Sequence, residues 1–170
     1  MGDRIVVMKD GVIQQFDTPQ NLYTSPCNLF VAGFIGSPQM NFIDAVVCRA
    51  DDGYAVEFAG FRIPIPQGKT EHADMEAYVG KPVVLGVRPE DFHVEAAFLD
   101  MSKESVISAD IEIAELMGAE VYLYMQCQGQ RLVARVPSRT QAACGDHIQI
   151  ALDRNKFHLF DKETEQVIFN

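Results

Sequence analysis

The stretch that decides the fold is Gly80-Lys81-Pro82-Val83-Val84-Leu85-Gly86-Val87, which continues to Phe92-His93-Val94. It recurs 65 residues later (145 − 80) as Gly145-Asp146-His147-Ile148-Gln149-Ile150-Ala151-Leu152, continuing to Phe157-His158-Leu159. The Gly, Phe and His are identical in both copies, and the apolar positions match: Val83 with Ile148, Leu85 with Ile150, Val87 with Leu152. A period of this length indicates a repeated supersecondary unit.

The internal repeat extends upstream of that stretch. Residues 42–47 resemble residues 106–111, and Gly53 matches Gly118. The sequence therefore divides into a non-repeating part, residues 1–40, and a repeating part, residues 41–170, whose units span about 41–104 and 105–170.

Composition limits the class of protein. With 48% hydrophobic and 22% charged residues in 170, the chain is typical of a globular protein. The formal net charge of −10 argues against a nucleic-acid partner, which requires a Lys/Arg face. No apolar run approaches the ~18–20 residues that cross a bilayer, and no signal-like leader opens the chain. We expect a cytoplasmic chain, or one that docks onto a membrane protein.

Residues 1–40 predict a hairpin followed by short helices. Asp10-Gly11 lies between the apolar runs 4–9 and 12–16, and an Asp-Gly pair favours a two-residue turn. Thr18-Pro19 is typical of an N-cap followed by proline at the first helical position. Ser25-Pro26 predicts a second helix in the same way, ending before the linker Gly36-Ser37-Pro38-Gln39.

Short runs bounded by glycine turns predict strands in both repeats. The predicted strands are 41–49, 54–58, 61–65 (an edge strand, because of Pro64 and Pro66), 82–87, 106–116, 120–126, 131–136, 147–152, 158–160 and 166–169, with a short helix within 71–79. We expect a mainly β fold with two five-stranded, OB-like antiparallel barrels, which either are separate or share strands.

The sequence offers no active site. A phosphate loop, a Gly-x-Ser-x-Gly motif and a His-Glu-x-x-His motif are all absent from it. The four cysteines and four histidines are dispersed, so we expect no metal site. His93 and His158 follow the repeated Phe, which favours a shared structural role. Pairs such as Glu115 with Glu120 are expected by chance among 24 acidic residues. We expect no catalytic, cofactor-binding or metal-binding residue.

Arg88-Pro89-Glu90 is the polar motif with the most specific candidate role in this sequence. One interpretation is a structural turn, because Pro89 fixes φ and the flanking charges pair or cap. The other is a contact with a partner chain, because arginine is enriched at interfaces. The second repeat has Asp153-Arg154-Asn155 at the equivalent place, so any further role is asymmetric.

Several segments resemble a known family. The end of an ABC-transporter ATPase domain is similar to residues 3–8, Asp10-Gly11, Thr18-Pro19, Tyr23, Pro26 and Asn28. Its junction with a regulatory domain is similar to residues 30–38 and 40–42. The regulatory domain itself is similar to residues 86–90, Glu115, Gly118, Glu120 and residues 158–161. This pattern is typical of importer ATPase subunits for maltose, other oligosaccharides and glycerol-3-phosphate.

The resemblance implies a C-terminal fragment of such a subunit. In that family the phosphate loop, signature, acidic strand and switch histidine lie upstream of the position matching Met1. The fragment is then expected to lack a cofactor, while its parent would use ATP and Mg to drive sugar import at the inner face of the plasma membrane. Expected partners are a second copy through the regulatory domain, permease subunits and cytosolic regulators. Arg88, Pro89, Glu90, Glu115, Gly118 and Glu120 are the candidate interface or turn residues.

Two other classes remain open. A stand-alone oxyanion-binding module of the molybdate type would use the same barrels, but it leaves the ATPase-like residues 1–40 unexplained. An OB-type nucleic-acid binder would need aromatics among Lys and Arg on strands, and the acidic balance opposes it.

Overall fold

The computed structural model of the protein describes residues 2–71 and 73–170. Met1 and His72, one of the four dispersed histidines, lie outside the described residues. The chain opens with the predicted hairpin of β1 (Ile5–Lys9) and β2 (Val12–Asp17). Its turn residues Asp10 and Gly11 have φ of 50° and 80°, the positive values that this two-residue turn requires.

Two six-residue helices follow, α1 (Pro19–Thr24) and α2 (Leu29–Phe34). The Thr18 side chain accepts a hydrogen bond from the Asn21 N–H, as the predicted N-cap should. The prediction that Ser25-Pro26 begins the second helix is wrong. Asn28 is the N-cap instead, because residues 27 and 28 run extended beside Gln166 and Val167 and helical geometry becomes possible only beyond them.

The repeating part forms two antiparallel sheets. The first contains six strands in the order β13-β12-β6-β3-β4-β5. Their bounds are β3 (Asn41–Ala50), β4 (Gly53–Phe58), β5 (Phe61–Pro64), β6 (Pro82–Val87), β12 (His158–Asp161) and β13 (Val167–Phe169). Strand β5 lies at the edge of this sheet, as its prolines predict.

The second sheet contains five strands in the order β10-β9-β8-β11-β7. Their bounds are β7 (Phe92–His93), β8 (Val106–Met117), β9 (Glu120–Cys127), β10 (Gln130–Pro137) and β11 (His147–Leu152). The mainly β, OB-like prediction is confirmed, although the sheets have five and six strands rather than five each.

The two repeats exchange strands. Phe92 and His93 of the first repeat pair with Leu152 and Ala151 of the second. The equivalent strand of the second repeat, β12, pairs in return with β6 of the first. The sharing considered possible from the sequence is therefore reciprocal, and a cut between residues 104 and 105 would not separate the two sheets.

Both sheets contribute to one hydrophobic core, which includes Ile43, Leu85 and Phe157 as well as Ile107 and Leu123. Burial of such side chains stabilises a fold by roughly 1.5–3 kcal/mol each. The exchanged strands and the common core make the repeats one packing unit.

The connections contain short helices. Instead of one helix within residues 71–79, the chain forms α3 (Gln67–Thr70) and a 3-10 helix (Met75–Tyr78). Helix α4 (Ala96–Met101), which the sequence did not predict, links the repeats. None of the helices in residues 2–71 and 73–170 has the length and apolarity needed to cross a membrane.

Candidate functional site

The candidate site is centred on the buried side chain of Arg88. This residue follows β6 and precedes a 3-10 turn over Pro89–Asp91, in which Pro89 is also buried. Arg88 is only 3% exposed. Its Nη1 donates a hydrogen bond of 2.9 Å to the carbonyl oxygen of Ile35, and its Nη2 donates to the carbonyl oxygen of Tyr23. Arg88 therefore joins the repeating part to the C-terminal ends of both α1 and α2. We call residues 18–36, which contain these two helices, the helical segment.

The ring of Tyr23 completes this contact. The guanidinium carbon of Arg88 lies 3.6 Å from the centroid of that ring, within the range of a cation–π interaction. Gly36 gives the guanidinium room, because a Cβ at position 36 would lie 3.1 Å from Nη1. Its φ of 129° also disfavours other residues. The glycine of the predicted linker is thus part of the site.

Arg88 is a buried cation bonded to neutral acceptors. Burial lowers the pKa of its guanidinium to about 10, so the group stays charged at neutral pH. Its Nε atom is buried and has no hydrogen-bond partner among the described residues. A charge held this way is costly unless its contacts compensate for lost hydration. The site therefore depends on the two carbonyl groups and the Tyr23 ring.

Apolar contacts reinforce the junction. Ala32 of α2 packs in a buried cluster with Met40, Val84 and Phe160. Gly86 allows this close packing, because a Cβ there would lie 2.6 Å from the Met40 sulfur. The helical segment is thus packed on the six-stranded sheet and does not stand apart from it.

Backbone hydrogen bonds fasten the same segment to the hairpin of β12 and β13. The Leu29 N–H donates to the Glu165 carbonyl oxygen at 3.0 Å, and the Val167 N–H donates to the Cys27 carbonyl oxygen at 3.0 Å. We call residues 18–36 together with Arg88 and this hairpin the Arg88 junction.

The other predicted site residues divide into two groups. Glu90 lies 3.7 Å from Arg135, and Arg135 lies 3.6 Å from Glu120, so the structure connects the Arg88 motif to Glu120. Glu115 instead accepts a hydrogen bond of 3.2 Å from the Tyr124 hydroxyl on an exposed surface. Gly118, with φ of 72°, forms the turn between β8 and β9.

Sequence reasoning missed Asn41, whose buried side chain ties the two sheets together. Its Nδ2 donates to the carbonyl oxygens of Val87 (3.0 Å) and Val133 (2.9 Å), and its Oδ1 accepts from the Val133 N–H (2.6 Å). The available signal was the alternation of β3, which places Asn41 on the same face as the apolar residues Ile43, Ala45 and Val47.

The repeated histidines have different surroundings. His158 is buried and its Nδ1 lies 2.9 Å from the Asn170 side-chain oxygen, while burial lowers the pKa of His158 to about 4. His93 is partly exposed and stacks on Phe98 with ring centroids 3.9 Å apart. The two therefore share a place in the repeat but not an environment.

Two known domain families match parts of this chain, and both matches include Arg88. Residues 36–92 match the family described as MalK OB fold domain, and residues 85–160 match the TOBE domain. Each match covers less than half of the 170-residue chain, and together they span residues 36–160. The two matches overlap over residues 85–92, the segment that contains Arg88-Pro89-Glu90.

Similar proteins confirm the family resemblance. The chain is 44% identical to the oligosaccharides import ATP-binding protein MsmX of Bacillus subtilis over 97% of its own length. It is 40% identical to the trehalose/maltose import ATP-binding protein MalK of Thermococcus litoralis over 99% of its length. The chain spans only 44% and 45% of these two relatives.

A solved structure confirms the fold. The cytoplasmic molybdate-binding protein ModG superimposes with a TM-score of 0.56 over 70% of this chain and 94% of its own. Its sequence is only 13% identical, so the likeness concerns the fold alone.

Proposed function

We propose that this chain is the C-terminal regulatory region of the ATP-binding subunit of a carbohydrate-type ABC importer, acting at the cytoplasmic face of the membrane. In this role the chain itself does not hydrolyse ATP. It couples the ATPase part of its parent to the OB-like region and so regulates ATP-driven uptake.

The Arg88 junction is the observation that carries the proposal. Regulation of one region by another requires a connection that transmits position, and a flexible linker would not do this. Here one buried guanidinium binds the carbonyl groups of Tyr23 and Ile35, at the C-terminal ends of α1 and α2, while Ala32 packs on the β-sheet. A shift of the helical segment would therefore be passed directly to β6.

An exposed apolar surface on the N-terminal hairpin supports the same role. Side chains of β1, β2 and their neighbour α2 stand 44–63% exposed: Val6, Met8, Val12, Ile13, Phe16 and Phe34. Several exposed apolar side chains on one hairpin and the adjacent helix are typical of a contact surface in the working protein. In the proposed parent it would pack against the ATPase part.

The proposed partners are those that the family resemblance implies. A second copy would contact the OB-like region, permease subunits would bind the parent, and cytosolic proteins would regulate it. ATP and Mg would be bound by the parent outside this chain.

A chimaera tests the proposal. The part of MsmX that this chain does not match is joined to this chain, and the fusion is expressed in Bacillus subtilis lacking MsmX. We expect restored growth on an oligosaccharide and restored ATP-dependent uptake. The control is the same fusion lacking residues 41–170.

The two outcomes are separable. Uptake by the complete fusion but not by the control supports a regulatory and coupling role. If the fusion accumulates as a folded protein but restores no uptake, or if the control imports equally well, the proposal is wrong.

A further inference from the structure

A polar cavity of about 380 Å³ opens beside the Arg88 junction. Its walls come from the helical segment, α3, the turn after β6, the loop before β12 and the end of the chain. Its charged and titratable lining residues are Lys69, Arg88, Glu90, Asp91, Lys156 and His158. Its volume lies within the range of about 300–1,000 Å³ that is common for small-molecule sites.

Three cations face this cavity without a paired carboxylate. Among residues 2–71 and 73–170, no Asp or Glu oxygen lies within salt-bridge distance of Arg88, Lys69 or Lys156. Lys69 is half-buried, and this burial followed by repulsion from Lys156 lowers the pKa of its ammonium group, while the charges of Asp153 and Asp91 act in the opposite direction. The Arg88 Nε–H is the unpartnered buried donor described above. Unpaired cations and a free donor at one cavity are suited to an oxyanion.

The two carboxylates of the cavity weaken this charge only partly. Glu90 is engaged by Arg135 at 3.7 Å. Burial, followed by repulsion from Glu90 and Asp153, raises the pKa of Asp91 to about 7. Asp91 is therefore close to half-protonated at neutral pH, and His158 is neutral there. The three positive charges of Lys69, Lys156 and Arg88 therefore outweigh the negative charge that Glu90 and Asp91 contribute at neutral pH.

We propose that this cavity binds the phosphate group of a small phosphate ester. Lys69, Lys156 and the Arg88 Nε–H would hold the phosphate oxygens. Hydroxyl and amide groups of Thr24, Ser25, Asn155 and Asn170 provide hydrogen-bond partners for the hydroxyls of the esterified part. The same cations could also accept free phosphate, which is the other source of this chemistry.

Binding at this place would tighten the Arg88 junction. Residues 23–25 of the cavity belong to the helical segment, whereas Lys69 and Lys156 belong to the repeating part of the chain, residues 41–170. A ligand contacting both sides stabilises the docked arrangement by mass action. This inference concerns the chain itself and does not depend on the proposed role in import.

Calorimetric titration tests the proposal with glycerol 1-phosphate, inorganic phosphate and glycerol at constant ionic strength. We expect both phosphates to bind, glycerol to give no heat, and amide NMR shifts to cluster at residues 23–25, 69 and 156. Lys69→Gln and Lys156→Gln should each weaken binding about tenfold, the loss of one charge-assisted hydrogen bond. Lys103→Gln removes an exposed charge outside the cavity and should leave affinity unchanged.

The outcomes discriminate between the sources. Tighter binding of glycerol 1-phosphate supports an ester ligand, and equal or tighter binding of free phosphate supports the oxyanion site with phosphate as its source. Absence of binding at 10 mM of either phosphate (about tenfold above a millimolar Kd) overturns the proposal. So does an equal loss of affinity in Lys69→Gln and Lys103→Gln.

Discussion

Replacing Arg88 with methionine should release the helical segment from the repeating part of the chain. Methionine keeps much of the side-chain volume but leaves the carbonyl groups of Tyr23 and Ile35 without their donors. Hydrogen bonds to a charged group contribute about 1.5–3 kcal/mol each, so the gross loss is roughly 3–6 kcal/mol. Relief from burying the guanidinium offsets part of this loss. We expect a net destabilisation of the junction of about 3 kcal/mol.

Native-state hydrogen exchange measures this value locally. The amides of Leu22, Ala32 and Ile35 are hydrogen-bonded within the helical segment. Because about 1.4 kcal/mol is a factor of ten, their exchange should become about 100-fold faster in Arg88→Met. Amides of β3, at the centre of the six-stranded sheet, should keep their protection.

The control variant is Arg131→Met, which removes an exposed arginine on β10 and should change protection by less than about 0.5 kcal/mol. Unchanged exchange at Ala32 and Ile35 in Arg88→Met would refute the reasoning. An equal loss of protection in β3 would also refute it, because Arg88 would then stabilise the whole fold rather than the junction.

Four further predictions concern pH, nucleotide binding, assembly and the boundary of the repeating part. The pKa of Asp91, about 7 in the folded chain against 3.8 as its ordinary value, contributes stability that is complete below pH 4 and is lost as pH rises through 7. Urea unfolding from pH 5 to 8 should therefore show a smaller fall in the free energy of unfolding for Asp91→Asn than for the native chain. Calorimetry with Mg-ATP should show no binding in the micromolar range, and micromolar affinity would contradict the expected absence of a nucleotide site. Light scattering at tens of micromolar should give twice the chain mass of 18.9 kDa, and a mass near 18.9 kDa would contradict a dimer. Deleting residues 1–36 should leave cooperative thermal unfolding and the dimer in place, and loss of either would show that the boundary or the interface lies elsewhere.

The sequence predicted the strands well because turn residues and the alternation of apolar and polar side chains act over a few neighbouring residues. Asp10-Gly11 formed the expected turn, and the alternation in residues 41–49 appears as β3 with buried residues such as Ile43 and Val47. The strand exchange is different. Phe92-His93 and Phe157-His158 are nearly equivalent in sequence, so nothing local specifies which sheet each strand joins.

The candidate site was predictable in identity but not in partners. Arg88-Pro89-Glu90 was singled out by its chemistry, yet its acceptors lie 65 and 53 residues away on backbone groups that carry no side-chain signal. The start of α2 was missed for a related reason, since a bridge to Gln166 holds Asn28 extended. Contacts between residues far apart in the sequence therefore determine both the partners of Arg88 and the start of α2.

Oligosaccharide uptake by the MsmX chimaera carrying Arg88→Met tests the central claim most directly. The account predicts that uptake falls to the level of the fusion lacking residues 41–170, although the variant accumulates normally, while Arg131→Met imports like the unmodified fusion. Full uptake by the Arg88→Met fusion would contradict a coupling role for the Arg88 junction.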